Sequence, residues 1–226
     1  MTRLLPLTAI LTVLLFAGEA WAQDGGTKSQ RFRDDFTGDD LNPSWEIGNE
    51  KHDHWTLLDK DYLFIISSAG SINIFFSKYP LPSRFAIEIK FTADLKGNNC
   101  NFGQPVGNRM VFGLINKAQD TVVMAVGPGL SSVPSVQCPS VSFEKGSKNT
   151  TSSLAASVAL TGEFKLRIVK GDVDVEGSYD FGQGWVSLGK HYVIGFDDAR
   201  MIFFAFDEGQ IAETGVRVDY VEMVPQ

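Results

Sequence analysis

Phe85-Ala-Ile-Glu-Ile-Lys-Phe91 is the stretch that decides the fold. Phe85, Ile87, Ile89 and Phe91 share one side of a two-residue repeat, and Ala86, Glu88 and Lys90 share the other. Successive side chains of a strand point to opposite faces, so this pattern predicts a strand with one face packed and one face wet. Phe164-Lys-Leu-Arg-Ile168 repeats the pattern. An apolar sheet face has to be covered by another layer. The expectation is therefore two antiparallel sheets packed face to face.

Outward from these two segments, short β-branched and aromatic runs recur between Gly, Asn, Asp and Pro, and no long helical period appears. The predicted strands are 55–58, 62–67, 72–77, 85–92, 109–116, 121–126, 164–169, 173–179, 185–188, 201–206 and 216–223. Gly171-Asp172 predicts a hairpin turn, and Gly182-Gln-Gly184 predicts a second turn just before Trp185. Lys96–Gly107 and Gly127–Ser157 are rich in Gly, Asn, Ser and Pro, and are expected to be long surface loops. Many short strands at short intervals make a sandwich or barrel rather than βαβ units. With no repeat and no linker in view, residues 32–226 are expected to form a single domain.

Residues 1–22 have the form of an export signal: Arg3, an apolar run from Leu4 to Ala17, and Ala20-Trp-Ala22 before Gln23. The run is short for a membrane span, which takes about 20 residues. Residues 23–31 read as a polar, Gly-containing leader. The expected location is periplasmic or extracellular, with no transmembrane segment in the mature chain. A net charge of −7 argues against a nucleic-acid partner, whose phosphates require a basic footprint. Cys100 and Cys138 are the two cysteines, and an even pair in an exported chain predicts a disulfide. It would close a loop of about 40 residues and contribute about 3–4 kcal/mol by chain entropy.

Four segments carry a resemblance. The opening Phe32-Arg-Asp-Asp-Phe36, with Leu41-Asn-Pro-Ser-Trp45, resembles the start of concanavalin A-like jelly rolls. Phe85–Phe91 is similar to their long alternating strand. Phe164–Lys170, Val173–Tyr179, Gly182 and Trp185–Leu188 resemble their strand–turn–strand hairpin ending in Gly and Trp, and Val218-Asp-Tyr-Val221 resembles their closing strand. Within that superfamily the chain looks like the β-sandwich domain attached to family 43 β-xylosidases and, more distantly, like family 16 glycoside hydrolases. The resemblance implies an all-β, two-sheet antiparallel jelly-roll sandwich. Phe36, Trp45 and Phe206, within or near the matching segments, read as core aromatics rather than ligand contacts. The resemblance also implies a structural calcium ion tying the first strand to the last through Asp35 and Asp219, since a hard cation takes carboxylate and carbonyl oxygens.

Catalysis has fewer signals. Glycoside hydrolysis needs two carboxylates flanking the sugar bond. The Glu-x-Asp-x-(x)-Glu run that family 16 members carry on one strand is missing here. Asp172-Val-Asp174-Val-Glu176 has the period but sits at a hairpin tip, where acids usually form a solvated face. His52 and His54 would point the same way on a strand and begin a metal site, with His191 the only other histidine. No nucleophile elbow, P-loop or dinucleotide fingerprint is present. The expectation is a non-catalytic glycan-binding domain, with Trp55, Trp185 and Tyr192 as the stacking aromatics. Two alternatives stand beside it: a hydrolase or lyase of the same fold, and an envelope structural or protein-interaction domain.

Overall fold

The computed structural model describes residues 31–59, 61–66, 72–94, 108–127, 140–146, 151–157, 161–192, 199–207 and 215–226. In chain order, the first strands are β1 (Phe32–Asp34), β2 (Trp45–Gly48), β3 (Trp55–Leu58), β4 (Tyr62–Ile66) and β5 (Ile74–Ser77). Next come β6 (Phe85–Asp94), β7 (Arg109–Asn116), β8 (Thr121–Gly127), β9 (Ser140–Gly146) and β10 (Thr151–Ser157). The chain closes with β11 (Thr161–Lys170), β12 (Asp174–Asp180), β13 (Val186–Tyr192), β14 (Ala199–Asp207) and β15 (Gly215–Pro225). The export signal, residues 23–30 of the leader, Cys100 and Cys138 lie outside the described residues. Among the described residues no helix is long and apolar enough to cross a membrane.

The strands form two antiparallel sheets. The larger runs β13-β12-β11-β6-β15-β4-β3, with β1 paired to β15, and the smaller runs β10-β9-β8-β7-β14-β5-β2. The alternating segment is β6, at the centre of the larger sheet, with Phe85, Ile87, Ile89 and Phe91 facing the other sheet and fully buried. Phe75 and Phe204 stack at 4.8 Å from the opposite layer, and Trp45 meets Phe204 edge-on at 5.1 Å. Burying each such ring stabilises the fold by roughly 1.5–3 kcal/mol. Trp45, Phe36 and Phe206 are core residues, as expected.

Two expectations change. The stretch 127–157 is not one long loop: it contains β9 and β10, paired in register from Ser140↔Ser157 to Gly146↔Thr151. Its strand signal is diluted because Ser and Ala fill positions where a longer apolar side chain would announce a strand. The smaller sheet is also apolar on both faces rather than one. Phe76, Val111, Ile115, Val123 and Phe203 point away from the sandwich core, yet they are buried as a second cluster. Continuous apolar runs such as Met110-Val-Phe112 and Val122–Val126 follow from burial on both faces. The accessible polar face of the described sandwich is thus the outer face of the larger sheet.

Candidate functional site

Cross-strand register builds a polar row on that face. Arg33 of β1 lies opposite Glu222 of β15, Glu222 opposite Glu88 of β6, Glu88 opposite Arg167 of β11, and Arg167 opposite Ser178 of β12. Directly opposed like charges destabilise a sheet, and here an arginine stands at each end of the Glu222–Glu88 pair. Arg167 donates through Nε and Nη2 to Glu88 Oε2 at 3.1 and 2.8 Å. Arg33 donates to Glu222 at 3.3 Å, and Arg31 also donates to Glu222.

Two aromatic rings are locked into the row. The Tyr220 hydroxyl donates to Glu88 Oε1 at 2.5 Å, and the Arg33 guanidinium lies 3.9 Å from the centre of the Tyr220 ring. Burial and the adjacent Glu88 carboxylate push the Tyr220 phenol well above its ordinary value. At the other end the Arg167 guanidinium lies 3.8 Å from the centre of the Trp185 ring. Trp185 immediately precedes β13 and is 37% exposed. A guanidinium over an indole is a favourable contact that helps hold the ring in place.

A second set of ion pairs runs alongside. Lys90 bridges Glu163 at 2.8 Å and Asp219 at 3.4 Å, while Arg217 pairs with Asp219 at 2.8 Å and lies over the Tyr62 ring. The hydrogen bond to Glu163 leads in raising the Lys90 ammonium above its ordinary range.

The other expected site residues do not gather here. Trp55 is on β3, at the opposite edge of the larger sheet from β13, six strand spacings or about 29 Å away. It sits opposite buried Ile65 and meets Phe75 edge-on at 6.0 Å, so its ring faces the core. Tyr192 is 76% exposed but ends β13, seven residues from Trp185, or about 23 Å along the strand. Glu88, Arg167, Tyr220 and Glu222 escaped sequence reasoning as a group. Each looks like an ordinary outward residue of an alternating strand, and only register makes them neighbours.

His52 and His54 lie in a short 3-10 turn rather than a strand, which turns i and i+2 apart. His52 Nδ1 meets Glu50 at 3.1 Å and His54 Nε2 meets Asp53 at 3.7 Å. His191 is buried elsewhere, with Nε2 3.1 Å from the Phe143 carbonyl. Among the described residues no three acidic, His or Cys side chains are grouped to hold a metal ion. Asp35 is clasped by Arg33 at 2.9 and 3.1 Å. A calcium ion bridging Asp35 and Asp219 would therefore have to displace Arg33 from one and Arg217 and Lys90 from the other; as they stand, these two carboxylates do not fit it. Asp174 and Glu176 share Lys190 at 3.0 and 3.7 Å, and Asp172 pairs with Arg84, so this acidic run is a solvated, ion-paired face.

The comparisons agree with this geometry at the level of fold. No protein-family model matches the chain, and no curated protein matches it in sequence. Among solved structures, a GH43 protein of Bacillus licheniformis is 12% identical with a TM-score of 0.66, over 91% of this chain and 41% of its own. A xylan β-1,4-xylosidase of Bacillus halodurans is 10% identical with a TM-score of 0.64, over 89% of this chain and 40% of its own. A glycosyl hydrolase family 16 protein of Mycobacterium smegmatis is 12% identical with a TM-score of 0.62, over 85% of this chain and 99% of its own. The chain spans about two fifths of the length of the two Bacillus structures. The fold is the concanavalin A-like jelly roll.

Proposed function

We propose that the protein is an exported, non-catalytic glycan-binding module whose ligand lies along the outer face of the larger sheet, against Trp185. The observation that carries this reading is the Trp185 ring, half-exposed and held from one side by Arg167 at the end of a polar row. A pyranose offers an apolar face for a fixed ring and hydroxyls for the donors and acceptors beside it. Arg33 and Arg167 balance Glu88 and Glu222, which suits neutral sugars. The glycoside hydrolases among the structural neighbours are in keeping with a carbohydrate ligand. Export would carry Cys100 and Cys138 to an oxidising compartment, where the pair would close a disulfide.

The test is binding to a panel of neutral polysaccharides, xylan among them. Trp185→Ala is expected to weaken binding about tenfold or more with little change in the urea midpoint. Trp55→Ala is expected to destabilise the fold by about 2–4 kcal/mol, because its ring packs on the core. No binding by the wild-type protein, or full binding by Trp185→Ala, overturns the reading.

One observation favours a hydrolase instead: Glu88 and Glu222 are directly opposed, at a separation of about 5 Å between Cβ atoms. Both carboxylates are engaged by arginines on one face of one sheet, whereas glycoside hydrolysis needs them on either side of a bond. Release of reducing sugar that Glu88→Gln abolishes would establish this second reading.

A further inference from the structure

Trp185 is held by more than Arg167. Asp180 Oδ1 accepts the amide N–H of Gly182 at 2.9 Å and that of Gly184 at 2.9 Å. Both glycines have left-handed backbones, with φ of +87° and +91°, and a Cβ at either would meet nothing within 4 Å. Glycine is therefore required there by conformation and not by space. On the inner side of the same turn, Phe181 packs edge-on against Phe164 at 4.7 Å and lies 4.9 Å from Tyr179. The turn is tied from outside by one carboxylate oxygen and from inside by one ring, and the next residue in the chain is Trp185.

From this geometry we infer that Asp180 is a positioning residue: its carboxylate fixes the turn that sets the Trp185 ring against Arg167. The Gly182 and Gly184 amides are exposed, so water can replace Asp180 as their acceptor. Loss of Asp180 consequently leaves global stability nearly intact and releases the turn, and with it the ring. Asn at this position keeps an acceptor oxygen in the same place and removes only the charge. That distinction matters, because Lys165 is the cross-strand partner of Asp180 and a charge effect has to be separated from a turn effect.

The ligand-binding part of this inference rests on the reading given above; the ring placement does not. The whole protein is labelled with 5-fluorotryptophan and its fluorine spectrum assigned with Trp185→Phe. In Asp180→Ala the Trp185 signal is expected to move toward the position of free fluorotryptophan and to sharpen, while the signals of the other three tryptophans, Trp21, Trp45 and Trp55, stay in place. In Asp180→Asn all signals are expected to match the wild type. An unmoved Trp185 signal in Asp180→Ala overturns the inference, as does an equal displacement in Asp180→Asn. On a polysaccharide that the wild type binds, Asp180→Ala is expected to weaken affinity about tenfold and Asp180→Asn to retain it. If the wild type binds no glycan, the functional reading fails and the fluorine spectra still decide the role of Asp180.

Discussion

The indole N–H of Trp45 donates to Asp34 Oδ2 at 2.7 Å, while Oδ1 of the same carboxylate accepts the amide of Phe36 at 2.8 Å. All three residues are buried, and Phe36 has a left-handed backbone with φ of +56°. The acidic, aromatic opening of the chain is thus one hydrogen-bonded corner that turns the N-terminal strand from one sheet toward the other.

Removing that corner strands two buried donors. Asp34→Ala is expected to destabilise the fold by about 2–4 kcal/mol, and Asp34→Asn, which keeps one acceptor, by less. Urea unfolding of the three proteins checks this, and equal midpoints for wild type and Asp34→Ala would contradict it.

Gly177 lies in the inward layer of β12, and a Cβ there would come within 2.4 Å of the Phe143 ring. Gly177→Ala is expected to cost about 1–3 kcal/mol through overpacking. Combining it with Phe143→Leu, which shortens the opposing side chain, should recover part of that loss, giving a non-additive double-mutant cycle. Strict additivity would mean that the two positions do not meet.

The raised phenol of Tyr220 makes stability depend on pH. The folded protein holds this proton more tightly than the unfolded chain, whose tyrosines ionise near pH 10. Its contribution is complete below about pH 10 and is lost as pH rises above that value. Tyr220→Phe is expected to be less stable than wild type by about 1–2 kcal/mol at pH 8, from the lost bond to Glu88. The gap should narrow by pH 11. Thermal melts of both proteins across that range measure it, and a constant gap would refute it.

Much of the sandwich was legible because alternation reports half-burial, as in Phe85–Phe91 and Phe164–Ile168. The turn at Gly182-Gln-Gly184 was legible because glycine marks left-handed backbone. The β9–β10 hairpin was not, since Ser152, Ser153, Ala155 and Ala156 give no apolar contrast between faces. Burial of both faces of β7 and β8 was written in their unbroken apolar runs, but alternation elsewhere pointed to a wet outer face. Trp185 was legible as an aromatic beside two glycines. Its partners were not, because Arg167, Glu88 and Tyr220 meet only through pairings that span 79 and 132 positions of chain.

The strand latest in the chain, β15, is inserted between β6 and β4 and also receives β1. A polypeptide that has left the ribosome only as far as β14 therefore has its larger sheet split in two, with the fragments β3-β4 and β13-β12-β11-β6 unable to join. Completion of the larger sheet is deferred to residues 215–225, and the long-range pairing they make predicts a slow search once they are available.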